Sequence, residues 1–178
     1  MQPQRASRMA SPRPGTTTGT RLYSPEERQR RDASVWTLVQ GVLAPVQFLA
    51  FLVSLVLLLR YLASGAGEQA AMLSVVVKTA LLYLIMVTGS IWEKVVFGRW
   101  LFAPAFYWED VFSMLVLALH TAYLVAWASH SLDGRGLAWL ALAAYASYVI
   151  NATQFLLKLR AARLEHAASG TSLQGARA

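Results

Sequence analysis

"WTLVQGVLAPVQFLAFLVSLVLLLRY", residues 36–61, decides the fold. No charge interrupts it before Arg60, and its polar residues are only Thr37, Gln40, Gln47 and Ser54. A helix needs roughly 20 predominantly apolar residues to cross the hydrocarbon core, and a helix satisfies every backbone polar group while doing so. The stretch is too long and starts too late for a signal peptide, and no small-residue cleavage site follows it. It predicts an uncleaved transmembrane helix. Three more such stretches follow, at about 71–97, 106–127 and 137–157. The expected fold class is therefore an all-α integral membrane protein with four transmembrane helices.

Composition agrees. Of 178 residues, 56% are hydrophobic and only 14% charged, where a soluble domain is nearer a quarter charged. The chain has no cysteine, which excludes disulfides, thiolate metal sites and cysteine nucleophiles.

Charge orients the bundle. Among the 16 Lys and Arg, thirteen lie before residue 35, after Leu157, or at Lys94 and Arg99, whereas the other two connections hold only Arg135. By the positive-inside rule both termini and the 98–105 connection face the cytoplasm. The net charge of +7 is then a matter of topology and anionic lipid, with no nucleic acid needed as a partner. Arg60 and Lys78 remain inside helices, and both are expected to snorkel outward along their stems.

The ends read as tails: residues 1–22, rich in Ser, Thr, Pro, Gly and Arg, and residues 167–178 are expected to be disordered. Between them one membrane domain covers 23–166. Ser24, Pro25 and Glu27 in "SPEERQRRDAS" form a helix-start signature, which predicts a short amphipathic helix on the inner surface ahead of Trp36.

Each span has a polar edge at helical spacing. The first carries Gln40, Gln47 and Ser54. The second ends in Thr88, Ser90 and Glu93. The third has Glu109, Ser113, His120 and Tyr123, and the fourth Ser147, Asn151, Gln154 and Lys158 beside Tyr148. Four such edges meet only inside the bundle. Amides and hydroxyls on membrane helices commonly just bridge neighbours, and Glu109 and Asp110 near a helix start complement its dipole. Lys158, Arg160 and Arg163 read as a positive-inside anchor.

"GSIWEKVVFGRWLFAPAFYWEDVFS", residues 89–113, resists so plain a reading. Five charged residues, Glu93, Lys94, Arg99, Glu109 and Asp110, are set among eight aromatic rings. An interfacial aromatic belt accounts for some of this. Glu93, however, still lies within the apolar periodicity, and His120 is near the middle of its helix. Ionisable groups at membrane depth are costly and functional by default. Desolvation favours the neutral form of a carboxyl group, which makes it a proton donor. His120 alone is compatible with a shuttle, a metal ligand or a hydrogen-bonded core residue.

Three long blocks, "RRDASVWTLVQGVLAPVQFLAFLVSLVLLLRYLASGAG", "VVKTALLYLIMVTGSIWEKVVFGRWLFAPAFYWEDVFSMLVLALHTAYL" and "YVINATQFLLKLRAARLEHA", closely resemble the vinyl-bacteriochlorophyllide hydratase family over roughly residues 23–166. The resemblance implies a hydro-lyase of bacteriochlorophyll synthesis in the bacterial inner membrane. It would add water to the C3-vinyl group of chlorophyllide a or a related bacteriochlorophyllide, giving a 1-hydroxyethyl group, with no separate cofactor. It assigns no catalytic residue, so the site follows from the chemistry.

Hydration of a vinyl group is acid–base work. An acid protonates the terminal carbon, the adjacent cation spreads into the macrocycle, and water attacks while a base takes its proton. Glu93 fits the acid best, with Glu109 or Asp110 positioning water. For the magnesium chlorin, Trp92, Trp100, Phe106 and Trp108 are candidate face contacts, and Lys94 and Arg99 candidate partners of the propionate. His120 is a candidate ligand of the chlorin magnesium, although it lies about 16 Å along its helix from Glu109. Tyr123, Asn151 and Gln154 complete the candidate substrate contacts, and so small a bundle is expected to pair with itself or with other pigment-synthesis enzymes. Two rivals from other classes are a non-catalytic chlorophyllide escort and a small proton or ion pathway through Glu93, His120 and Asn151. The escort needs no protonated carboxyl, and the pathway gives no reason for the rings.

Overall fold

Ser24 starts the first helix as the sequence predicts. In the computed structural model, which describes residues 22–175, five helices follow one another: α1 Pro25–Ala33, α2 Val35–Ser64, α3 Glu68–Phe97, α4 Tyr107–Ala128 and α5 Gly134–Gly175. No strand occurs among the described residues. The Ser24 hydroxyl accepts from the Glu27 N–H at 3.2 Å while the Glu27 carboxylate accepts from the Ser24 N–H at 2.8 Å, a reciprocal cap that satisfies two otherwise orphaned donors. Ser24→Ala should destabilise α1 by about 1 kcal/mol, seen as faster amide exchange confined to residues 25–33. Ser34 ends α1 and caps α2, its hydroxyl accepting from the Trp36 N–H at 3.2 Å.

The four long helices are each long and apolar enough to cross a membrane. Short turns at 65–67 and 129–133 fold them into two antiparallel hairpins, α2 with α3 and α4 with α5. Gly65 closes α2 with a left-handed φ of 70°, a conformation that costs other residues a Cβ clash. The hairpins join through Phe51, Leu58, Ala71, Val75, Tyr123, Ala138, Ala141 and Tyr145, all buried. Alanines on α5 permit close backbone approach, which is how helices associate where lipid supplies no hydrophobic drive. At the turn end, Gly134 passes so close to Tyr61 and Glu68 that a Cβ there would collide with both. No more than 33% of the most apolar part of any span is buried, and the outward residues include Leu38, Leu49, Val56, Val77, Val125 and Leu156. Only a lipid solvent suits that exterior.

α1, the 98–106 connection and the later part of α5 share the opposite end. Tyr23, 3% exposed, stacks on Phe97 at 5.7 Å and leans on Phe106, with the Arg31 guanidinium 4.8 Å from its ring centre. Burial pushes the Tyr23 phenol above its usual range against the pull of Arg31, so it stays neutral.

Two expectations need correction. Lys78 does not snorkel: it is fully buried, with its amine inside the bundle. Its place on the inward face of α3, between the buried Val75 and Thr79 and Leu82, points the stem away from lipid. Nor does the fourth helix stop near Leu157; α5 continues to Gly175, through the part of the expected loose tail that lies before residue 176. Ala, Leu, Arg and Glu in "LRAARLEHAA" are strong helix formers with no breaker among them. The expected N-terminal tail lies outside the described residues except for Leu22, as do residues 176–178 at the other end.

Candidate active site

Gly98 ends α3 with φ 78° and the chain crosses to α4 over residues 99–106. Two carboxyl groups lie beneath that crossing. Glu93 comes from the last turns of α3 and Asp110 from the first turn of α4, and they are only 6% and 3% exposed. The Ala103 N–H donates to Glu93 Oε2 at 3.3 Å and the Phe102 N–H to Asp110 Oδ2 at 2.7 Å. The two donors are neighbours in the chain, so the two carboxyls are brought together under the same crossing. Such a pair offers two proton-binding sites close together. One member can thus give a proton while the other receives one. Phe102 has φ 58°, a left-handed backbone that costs a non-glycine residue on the order of 1 kcal/mol. The hydrogen bond to Asp110 helps to hold it there.

Glu109, the other candidate partner for Glu93, faces elsewhere. Its carboxylate takes the Lys158 ammonium at 2.7 Å, and the same ammonium lies 5.0 Å from the centre of the Phe106 ring. Lys158 is therefore an internal counter-ion of α4 as well as a basic residue near the membrane surface. Position alone separates the adjacent acids, because one helical residue rotates a side chain by about 100°. Glu109→Gln should keep most of whatever activity the dyad supports while lowering stability by about 1–2 kcal/mol, measured as initial rate and as unfolding midpoint in detergent. One turn further along α4, the Ser113 hydroxyl accepts from the Asn151 amide at 2.8 Å, and Gln154 lies between Asn151 and Lys158 on α5.

The rings divide into two groups. Trp92, Phe97, Phe106, Tyr23 and Phe155 pack on one another at 5.7–6.3 Å between centres, and Trp92 donates to the Thr37 hydroxyl at 3.0 Å. Trp92 and Phe106 thus build the wall behind the loop. Trp100 and Trp108 are 60% and 68% exposed and offer free faces, with Phe102 and Tyr107 between them in sequence. Lys94 reaches the Gly98 carbonyl at 2.9 Å and lies 5.9 Å from the Trp100 ring, and Arg99 is exposed beside it in sequence.

His120 and Tyr123 are not brought to this end. Asp110 and His120 are separated by about 15 Å along α4. The His120 Nδ1 is 2.8 Å from the Val116 carbonyl, which makes it the protonated nitrogen, and Nε2 accepts from Lys78 Nζ at 2.6 Å. Both residues are fully buried. His120 stacks on Tyr145, the Lys78 amine lies 4.1 Å from the centre of the Tyr148 ring, and the Tyr123 hydroxyl donates to the Met72 carbonyl at 3.1 Å. A magnesium ligand needs a free nitrogen lone pair, and here Lys78 occupies it. No group of three or more His, Asp or Glu able to hold a metal occurs among the described residues.

The sequence carried no sign of the Phe102 and Ala103 N–H donors, since backbone donors belong to every residue. Lys78 as a partner of His120 was equally hidden, because forty-two positions separate them. Pro104 is the one local cue: it restricts Ala103 to extended conformations.

The family model described as 2-vinyl bacteriochlorophyllide hydratase (BCHF) matches residues 23–161. The 2-vinyl bacteriochlorophyllide hydratase of Rhodobacter capsulatus is 65% identical over 146 residues, covering 82% of this chain and 85% of that protein. Its counterpart in Cereibacter sphaeroides is 66% identical over 146 residues, covering 82% and 90%. No solved structure matches the chain.

Proposed function

The chain belongs to the 2-vinyl bacteriochlorophyllide hydratase family, and on that premise we propose that it hydrates the C3-vinyl group of chlorophyllide a or a related bacteriochlorophyllide, using Glu93 and Asp110 as its acid–base pair. The observation that carries the mechanism is the pair of buried carboxyls, Glu93 and Asp110, held under one crossing by the neighbouring Phe102 and Ala103 N–H groups. Glu93 delivers the proton to the terminal vinyl carbon, whose π electrons form the new C–H bond. The cation left on the adjacent carbon is stabilised by conjugation with the macrocycle. Water adds there, and a carboxylate of the dyad takes the proton that the oxygen loses, which restores the starting state. Addition of H and OH across the double bond leaves the overall oxidation level unchanged, so no redox partner is required.

A chlorin lacking its long alcohol tail is a flat apolar plate with a carboxylate on its rim, suited to the membrane interface. The exposed faces of Trp100 and Trp108 support binding of the plate, and Lys94 and Arg99 binding of the propionate. The vinyl group reaches the dyad by way of the 98–106 crossing, which two backbone hydrogen bonds hold against it. We place this end, and with it both termini, on the cytoplasmic side of the bacterial inner or photosynthetic membrane, from the distribution of Lys and Arg.

The test uses membranes of a non-phototrophic bacterium expressing the chain, incubated with chlorophyllide a and no added cofactor. Hydration is expected as a blue-shifted red absorption band and a mass gain of one water. Unchanged pigment that co-purifies with the protein would favour the escort instead, and unchanged, unbound pigment would refute this choice of substrate.

A further inference from the structure

Besides Arg28 Nε, the buried side-chain polar atoms without a hydrogen-bond partner among the described residues are two, Asn151 Oδ1 and Gln154 Oε1. Both are carboxamide oxygens, three residues apart and hence on one face of α5. A buried acceptor left without a donor costs about 1–3 kcal/mol, so two of them on one helix face call for a small donor at that face. Asn151 is only 8% exposed, and its amide nitrogen is committed to Ser113 at 2.8 Å.

Their level in the bundle is defined by contacts on either side. Ser113 lies one turn beyond Asp110 on α4. Lys158, one turn beyond Gln154, sits on Glu109 at 2.7 Å. The two free oxygens therefore lie at the level of the first turn of α4, the turn that also carries Asp110.

We propose that Asn151 and Gln154 hold the attacking water of the hydration, an inference that rests on the acid–base reading given above. A water has two hydrogens to give and two lone pairs to offer. One hydrogen bonded to a carboxamide oxygen orients a lone pair toward the cationic carbon. As the C–O bond forms from that pair, the other hydrogen passes as a proton to a carboxylate of the dyad. Atoms and charge balance with no further reactant. Because the water is held on one side of the vinyl carbon, the same residues also determine which configuration the alcohol acquires.

Deuterated water separates the two half-reactions. Protonation without capture is reversible and leaves deuterium on the terminal vinyl carbon of recovered substrate, whereas capture gives alcohol. Full-length protein in membranes would be compared as wild type, Gln154→Met, Asn151→Leu and the double variant. Alcohol, vinyl deuterium and alcohol configuration would be measured by mass spectrometry and chiral chromatography. The double variant is expected to lose hydration at least tenfold while still exchanging deuterium, with the residual alcohol a mixture of both configurations. Gln154→Met, which breaks no bond of Oε1, is expected to shift the same ratio in the same direction and decides the matter if the double variant fails to fold. Exchange and hydration falling in proportion, with a single configuration kept, would overturn the water assignment and leave only a structural role. Hydration unaffected in Gln154→Met and Asn151→Leu alike would overturn it too. Wild type that neither exchanges nor hydrates would instead sink the acid–base reading itself, and this assignment with it.

Discussion

Glu93→Gln is expected to reduce conversion of chlorophyllide a by about 10²–10⁴-fold, the usual worth of a positioned general acid. The substitution is nearly isosteric. Its carbonyl oxygen still accepts from the Ala103 N–H, and Asp110 keeps its bond from the Phe102 N–H, so both contacts that hold the 98–106 crossing persist. What disappears is the transferable proton. Pigment should accordingly continue to co-purify with the variant, and the unfolding midpoint in detergent should change little. A variant as active as wild type would remove Glu93 from the chemistry and favour the escort. An inactive variant that no longer bound pigment would instead point to a disturbed site. Asp110→Asn is expected to fall in the same direction, because the dyad then loses one of its two proton-binding sites, whereas Glu109→Gln separates from both.

His120→Leu should cost about 3 kcal/mol or more in stability, far beyond an ordinary apolar substitution. The Lys78 amine is fully buried and its hydrogen-bond acceptor is His120 Nε2 at 2.6 Å. Removing the acceptor strands the amine among Tyr145 and Tyr148, and breaking one side of a buried polar pair costs several kcal/mol. Lys78→Met leaves only a neutral ring nitrogen without its donor, a loss of about 1–2 kcal/mol. The double replacement leaves neither group stranded, so its cost should be well below the sum of the two single ones. Unfolding in detergent gives all three values, and equal, additive costs would contradict the pairing. Since the pair stands about 15 Å along α4 from Asp110, Lys78→Met should also retain hydration once folded.

The four spans were legible because membrane crossing is a one-dimensional demand: length and apolarity suffice. The capped helix α1 was legible for a similar reason, since Ser24 and Glu27 are near neighbours in the chain. Glu93 stood out as a carboxyl inside an apolar run. Its partner did not, because Glu109 and Asp110 are adjacent and equally close to a helix start. Only the rotation of α4 against α3 and α5 turns Asp110 under the same crossing as Glu93 and Glu109 to Lys158. The same holds for Trp92 and Phe106, indistinguishable by composition from Trp100 and Trp108, yet packed into a wall where the latter two stand free.

By itself the sequence determined the membrane-spanning helices, the capped helix α1, the charge asymmetry and the kinship with the hydratases, because each is written in the identity or local spacing of residues. The tertiary structure decided the Glu93–Asp110 dyad, the Lys78–His120 pair and the free amide oxygens of Asn151 and Gln154. Each of these depends on how a side chain is turned toward a residue on another helix, and that angle is set by packing across the bundle, which no single helix encodes.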